Sequence, residues 1–522
     1  MAPPPSRRLA LALAAAGLTV APPTPARAYG TGPAGARAAD AAPQAPTVET
    51  SADLARAIDA ALDAKFLADA HVGVHVVDLA DGRTLYARNH RAAFNPASNV
   101  KLFTTYAALV LLGPAHRYVT EVYAKAPPTA DGVVDGPLYV RGTGDPSLTT
   151  ADLYELAGRL RARGVAKVRG PIVVDASSFA ADRLPPGFDQ KDEFASYRPK
   201  VGAFSVNFNT FVVRVTAGDE PGRPAAVRID PPVPSIVVDR ADVRTTEGWK
   251  RAVSVTHTQD RGRIHLVVDG TIGVSAPPLS YRFPVADPTR YAGEVFALVL
   301  RQRGVRLGRR RIERGEVPRR ATRLGAHRSR TVAQLVRDVN KHSNNFMAEQ
   351  ILYGLDDARP ATFDGALARV RALFEARGFG EGDLRLGNGS GLYDTNRTTP
   401  RAVVELLGRI HADFRVAPDF EASLPIVGLD GTTRRRLRDT PAAGWIRAKT
   451  GTLDGVSALS GYAGAPGRPP IAFSILFNDL GRWETNAARK VQDRIAAAVA
   501  AYAAATARDR GTPREGGPPA GQ

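Results

Sequence analysis

Apolar residues recur four apart at Leu54, Ile58 and Leu62, which predicts a helix within residues 54–67. Apolar runs at 72–79 and 84–88 flank Asp81-Gly82 and predict two strands around a tight turn. Ser98 opens a stretch, SNVKLFTTYAALVLL, that is apolar almost all round and stops at Gly113-Pro114; it predicts a buried helix. Between 118 and 320 short apolar runs such as PIVVDASSF and RIHLVVDGTIGV alternate with Pro and Gly clusters, the pattern of strands joined by turns. Helical spacing returns at 331–339, 346–353, 361–377 and 400–414. Residues 456–462 and 470–478 read as strands, and 484–505 as a long Ala-rich helix packed on a sheet.

The ends of the chain read differently. Arg7-Arg8, an apolar run over 9–20 and Ala26-Arg27-Ala28 have the order of a secretory signal peptide, so 1–28 is set apart from the fold. Residues 29–47 read as a flexible linker and 508–522 as a disordered tail. No later segment offers the ~20 apolar residues of a membrane span. The expectation is an exported periplasmic or extracellular protein, associated with the cell wall, with no transmembrane segment in the mature chain.

The 522 residues are 44% hydrophobic and 23% charged, which is ordinary globular chemistry for a multidomain chain. There is no cysteine, which excludes a disulfide framework, a thiolate nucleophile and a Cys-ligated metal. The net charge is +18, and only ten of the 70 basic residues are lysine. An anionic cell wall is a better partner for that charge than nucleic acid, for which no motif is visible. Arginine-rich coding bias accounts for the same charge equally well.

The chemistry lies in three short patterns. Ser98 and Lys101 are three apart at a helix start and share a face. A serine hydroxyl is a poor nucleophile until a neighbour takes its proton, and a lysine can take it once burial or a nearby cation lowers its pKa. Lys449 is the candidate second cation. Two S-x-N tripeptides occur, Ser205-Val206-Asn207 and Ser343-Asn344-Asn345. The first lies in a strand-like run and reads as a solvated face. The second breaks two apolar helices and suits a loop pointing into a cleft. Ser343 then relays a proton, and the Asn345 amide holds Lys101 and a substrate carbonyl. Lys449-Thr450-Gly451-Thr452 begins a strand pair on whose edge an extended peptide can lie. Gly451 lets a substrate backbone come close, while Thr450, Thr452 and Lys449 suit a terminal carboxylate. Backbone N–H groups of Ser98 and Thr452 make the expected oxyanion hole.

S-x-x-K, S-x-N and K-T-G in this order describe the active-serine penicilloyl transferases. The intervals, 245 residues from Ser98 to Ser343 and 106 from Ser343 to Lys449, enclose the whole 118–320 block. Together with PASNVKLFTT, GTGDPSL, HSNNFMAEQIL, GNGSGLYDTNRTTP, LPIVGLDGTTRRRL and RAKTGTLDGVSALSGY, they make the chain resemble the D-alanyl-D-alanine carboxypeptidase/endopeptidase family, the class C type low-molecular-mass penicillin-binding proteins. The resemblance implies an α/β (α+β) serine β-lactamase/transpeptidase-like domain, a five-stranded antiparallel sheet flanked by helices. That domain is formed by 48–117 and 321–507, with 118–320 as a mainly β insertion of two small domains. It implies no cofactor and no metal. It also implies hydrolysis of D-Ala-D-Ala or cross-link bonds in peptidoglycan stem peptides, and acylation by β-lactams. In relatives an aspartate, an aromatic residue and an arginine contact the substrate's diamino-acid side chain; Asp192, Tyr197 and Arg397 look like those positions. Asn388 stands where relatives often carry Asp. A serine β-lactamase, or a non-catalytic wall-binding protein of the same fold, are the alternatives.

Other patterns lack a chemistry. Gly389-Ser390-Gly391 is not a nucleophile elbow, because position 388 is not glycine, and it reads as a turn. Gly142-Thr143-Gly144-Asp145 lacks the third glycine of a dinucleotide loop, and the nine histidines show no H-E-x-x-H spacing.

Overall fold

The computed structural model describes residues 48–309 and 311–511; the stretches read as signal peptide and linker lie outside the described residues. Its central sheet has five strands, all antiparallel, in the order Ile446–Leu453, Val456–Ala463, Ile471–Asn478, His71–Asp78 and Thr84–Arg88. Val456–Ala463 and Ile471–Asn478 are buried along their whole length. Both faces of these strands are covered, which is why their sequences run apolar without alternation.

One face packs on helices Ser51–Leu62 and Thr485–Gly511, whose Leu54, Ile58, Val491, Ile495 and Val499 share a core with Val74, Phe473 and Ile475. The terminal helix therefore continues to Gly511, four residues into the stretch read as a tail; the remainder of that stretch lies outside the described residues. The other face meets Pro400–Ala412 and, beyond it, the helices Val100–Leu111, Val332–His342, Asn345–Tyr353 and Phe363–Glu375. Helix caps follow the sequence: Thr50, Thr331, Thr362 and Thr399 each accept a backbone N–H at a helix start.

The region between these halves holds a second five-stranded sheet, in the order Ile312–Arg314, Ile172–Asp175, Leu138–Arg141, Val119–Ala124 and Thr322–Arg328, and three three-stranded sheets. Three results differ from the sequence reading. Thr322–Arg328 pairs with Val119–Ala124, so the structural boundary of the insertion falls near 328. Two helices, Thr150–Ala162 and Pro288–Gln302, pack inside this nominally β region. Most of its buried apolar residues form one core, from Val122 to Leu324, while Phe179, Val201 and Ala203 join the helical core.

Part of the insertion folds back onto the helical core. Phe179 packs against Tyr353 in a tilted pair with ring centroids 4.2 Å apart. Gln350 Nε2 donates to the Gly202 carbonyl at 2.7 Å. These two anchors hold the intervening loop against the start of helix Asn345–Tyr353. No helix among the described residues is long and apolar enough to cross a membrane.

Candidate active site

The turn before the buried helix is locked from several sides. The Asn95 backbone N–H donates to Asn478 Oδ1 at 2.7 Å, and Asn478 Nδ2 returns a bond to the Asn95 carbonyl at 3.0 Å. Asn95 Nδ2 donates to the Tyr393 carbonyl at 3.1 Å and to Asp394 Oδ1 at 3.0 Å. Ala97 takes a left-handed φ of 46°, a strained conformation for a residue with a side chain. Ser98 follows it in one turn of 3-10 helix (Ala97–Asn99), partly exposed, and the α-helix starts at Val100.

Lys101 points inward and is 0% exposed. Its Nζ lies 2.9 Å from Ser98 Oγ, 2.8 Å from Asn345 Oδ1 and 2.6 Å from the Ser390 carbonyl. Ser343 ends helix Val332–His342 with a left-handed φ of 54°, and the Asn344 side chain caps the next helix. This break between two capped helices aims Ser343 and Asn345 at the lysines. Lys449, also 0% exposed, donates to Ser343 Oγ at 2.8 Å and to the Thr450 carbonyl at 2.7 Å. Two chains of contacts thus converge beside Ser98, one through Lys101 and Asn345, the other through Lys449 and Ser343.

Burial dominates the electrostatics. It lowers the Lys101 pKa to about 7, against an upward pull from the Glu349 carboxylate. Lys449 is held well below the usual lysine value by burial first and by the charge of Lys101 second. The sequence had offered Lys449 as the cation that depresses Lys101; the structure assigns that depression to desolvation.

The strand Ile446–Leu453 lies at the sheet edge. Its first half is covered: the Val427 N–H donates to the Ile446 carbonyl and the Ala448 N–H to the Pro425 carbonyl, both at 2.9 Å. That cover ends at Ala448, one residue before the K-T-G sequence. Gly451 also lies close to the serine turn. A Cβ there would stand 2.9 Å from the Pro96 carbonyl oxygen and 3.1 Å from Ala97 Cβ. The glycine lets the edge strand pack on the turn that carries Ser98.

The remaining sequence candidates divide. Tyr197, 48% exposed, belongs to the site: its carbonyl accepts from Asn345 Nδ2 at 3.1 Å, and its hydroxyl donates to Glu193. The donation from Asn345 Nδ2 to the Tyr197 carbonyl fixes the amide so that Oδ1 faces Lys101. Burial and the bond to Glu193 raise the Tyr197 pKa. Arg397 is held by Asp394 through bonds of 2.5 and 3.1 Å, and Asp394 is kept below the usual carboxylate pKa by that pairing. Asp192 is exposed and lines a separate hollow with Phe194, His257 and Gln259. Ser205 is not on a solvated face: it is buried, donating to the Gly202 carbonyl at 2.9 Å.

Sequence reasoning missed four contributors. The Ser390 carbonyl is a direct partner of Lys101, and Glu349 accepts the N–H groups of Gly389 and Ser390 at 3.0 and 2.7 Å. Thr432 accepts from Thr450 Oγ1 at 2.8 Å, and Arg489 reaches Thr452 Oγ1 at 3.2 Å. A usable signal was Glu349 itself, a carboxylate in the mostly apolar run FMAEQIL. Asn388 is a scaffold of the same turn, donating to Leu392 O and Thr395 Oγ1 and accepting the Gly391 N–H at 2.9 Å.

The chain has known relatives. The D-Ala-D-Ala carboxypeptidase 3 (S13) family matches residues 54–502. The chain is similar to the D-alanyl-D-alanine carboxypeptidase of Actinomadura sp. (strain R39), 35% identical over 467 residues that cover 86% of this chain and 85% of that one. It is also similar to the D-alanyl-D-alanine carboxypeptidase DacB of Haemophilus influenzae, 27% identical over 371 residues, covering 70% of this chain and 76% of that one. The crystal structure of penicillin binding protein 4 from H. influenzae has the same fold, with a TM-score of 0.71 at 24% identity, covering 84% of this chain and 97% of that one.

Proposed function

The chain belongs to the D-Ala-D-Ala carboxypeptidase 3 (S13) family and is a serine D,D-peptidase; from that premise we propose how its own residues act. Ser98 is the nucleophile and Lys101 its base. A neutral amine has two N–H groups and one lone pair. Asn345 Oδ1 and the Ser390 carbonyl, both acceptors at this point, take the two N–H groups, so the lone pair faces the Ser98 hydroxyl. This hydrogen-bond set is the observation that carries the reading.

The substrate is a peptidoglycan stem peptide, laid along the free half of the edge strand. Ser98 Oγ attacks the carbonyl between the two terminal D-alanines while its proton passes to Lys101. The N–H groups of Ser98 and Thr452 receive the oxyanion. A proton delivered through Ser343 from the lysine pair leaves with the D-Ala amine. Water then hydrolyses the ester on Ser98. Thr450 and Thr452 sit where the terminal carboxylate would lie, with Arg489 adding positive charge beside Thr452. Tyr197 and Arg397 border the site on the acyl side, with Asp192 further out, as contacts for the stem-peptide side chain.

β-Lactams acylate the same serine, because they present a strained amide in place of the D-Ala-D-Ala bond. The H. influenzae protein of this fold has been crystallised with a β-lactam. The enzyme is exported, acts in the periplasm or outside the cell, and is drawn to the anionic wall by its net charge of +18. Its catalytic part comprises 48–117 and the segment from about 329 to 507, with the intervening region inserted between the first two motifs.

A fluorescent penicillin gel of the wild type and Ser98→Ala, with free D-alanine measured from a stem pentapeptide, tests the reading. Labelling and D-alanine release by the wild type alone are expected. No labelling of the wild type would favour a binding protein, and fast, sustained nitrocefin turnover would favour a β-lactamase.

A further inference from the structure

The buried cluster beside Ser98 holds two amines and one carboxylate. Lys101, Lys449 and Glu349 are each 0% exposed. Glu349 lies on helix Asn345–Tyr353 and spends both oxygens on one short segment: Oε2 accepts the Gly389 N–H at 3.0 Å and Oε1 the Ser390 N–H at 2.7 Å. The carbonyl of that same Ser390 accepts from Lys101 Nζ at 2.6 Å. One residue therefore connects the carboxylate to the base. Glu349 makes no direct bond to Ser98.

Charge balance gives this connection a purpose. A desolvated charge is costly unless it is compensated. With both lysines protonated the cluster carries a surplus positive charge; with one protonated it is neutral. The other charged groups nearby do not alter that balance. Arg397 pairs with Asp394, Lys191 with Asp454 and Lys341 with Asp430, so each is locally neutralised, and Arg489 beside Thr452 is exposed to solvent.

Resting on the functional reading above, we infer that Glu349 is a positioning residue whose carboxylate is the counter-charge of the lysine pair, holding it at one shared proton while the Ser390 carbonyl orients the Lys101 lone pair toward Ser98. The shared proton gives each lysine a task. The neutral amine at Lys101 removes the Ser98 proton as the Oγ–C bond forms. The ammonium, at Lys449, supplies through Ser343 the proton that leaves with the amine as the C–N bond breaks. The proton gained by Lys101 replaces the one lost, so the count of one is restored with the acyl-enzyme. Glu349 pulls the Lys101 pKa up, burial raises the pKa of Glu349 while its hydrogen bonds oppose that rise, and the charge of Lys101 pushes the Lys449 pKa down, which disfavours two ammonium groups at once.

The test is the pH dependence of Ser98 acylation by a fluorescent penicillin in wild type, Glu349→Gln and Glu349→Asp, with thermal unfolding measured alongside. Glu349→Gln removes the negative charge and retains one acceptor. Both limbs of its pH profile should move toward acid by about 1 pH unit or more, because the cluster now favours having no ammonium. Glu349→Asp keeps the charge, so its limbs stay near the wild-type positions while the rate falls. A purely structural role lowers the rate at every pH without moving the limbs, and that result overturns the inference. Lysine 15Nζ NMR of the wild type gives a second reading that needs no Glu349 variant, with Lys101→Met and Lys449→Met used for assignment. One ammonium between Lys101 and Lys449 at pH 7 supports the inference, and two overturn it. Failure of the wild type to acylate at all would instead remove the functional reading.

Discussion

Gly391→Ala tests whether the active-site turn is built to backbone tolerance. Gly391 has a φ of +77°, and a Cβ built on it would stand 1.8 Å from the Ala97 carbonyl oxygen and 3.1 Å from the Ser98 nitrogen. Ordinary contact begins near 3.4 Å, so one of the two segments must move by up to 1.6 Å. Neither is free to do so, because Asn388 holds the Gly391 N–H and Asn95 holds the Ala97 N–H, each at 2.9 Å. The left-handed backbone adds about 1 kcal/mol of strain for alanine, and overpacking adds about 1–3 kcal/mol. A displacement of about 1 Å at reacting atoms lowers rates roughly a hundredfold. Stopped-flow acylation by a fluorescent penicillin should therefore slow by about that factor, with a lowered Tm. Gly382→Ala is the control, since nothing lies within 4 Å of its Cβ position. Acylation of Gly391→Ala within threefold of wild type would refute the claim that this contact sets the position of Ser98.

Lys101→Met should reduce acylation by roughly 10²–10⁴-fold, the span of general-base catalysis, and the same stopped-flow assay reads it. The pH profile has a definite sign. With the Lys101 pKa lowered to about 7, its neutral form dominates above that pH, so acylation should rise through pH 7 and be about a hundredfold slower at pH 5. A flat profile between pH 5 and 8 would contradict Lys101 as the base. Arg397→Ala releases Asp394 and should raise KM for a stem peptide bearing a charged side chain by about tenfold, while penicillin acylation changes little. Sedimentation with anionic wall polymer should weaken as NaCl rises from roughly 0.05 to 0.5 M, the signature of screened surface charge.

The parts of the fold that were legible in the sequence are those with one dominant period. The strands His71–Asp78 and Ile471–Asn478 sit mid-sheet, and their apolar runs are long enough to be read without neighbours. The three motifs were legible because their chemistry demands particular residue types at fixed spacings. Helices Thr150–Ala162 and Pro288–Gln302 were not seen, although Leu153, Leu156, Ala157 and Leu160 keep helical spacing behind a Thr149–Asp152 capping box. The Pro and Gly clusters around them suggested strands and turns. The Ser390 carbonyl was beyond sequence reasoning for another reason: a main-chain oxygen has no residue-type signal. Gly451 was legible as a close approach, but which partner approaches depends on tertiary placement of the Pro96-Ala97 turn.

The pairing of His71–Asp78 with Ile471–Asn478 has a consequence for how the chain matures. Some four hundred residues of polypeptide separate the two ladders' partners, and a closure that long is slow and comes late. The inserted region, with its own apolar core and locally paired strands, has no such wait and can condense while the flanking halves remain apart. Lys449 reaches Ser343, and its strand packs on the Ser98 turn, only when the last strands dock. The reactive serine is thereby kept inert until the strands that follow Lys449 have been made and have docked.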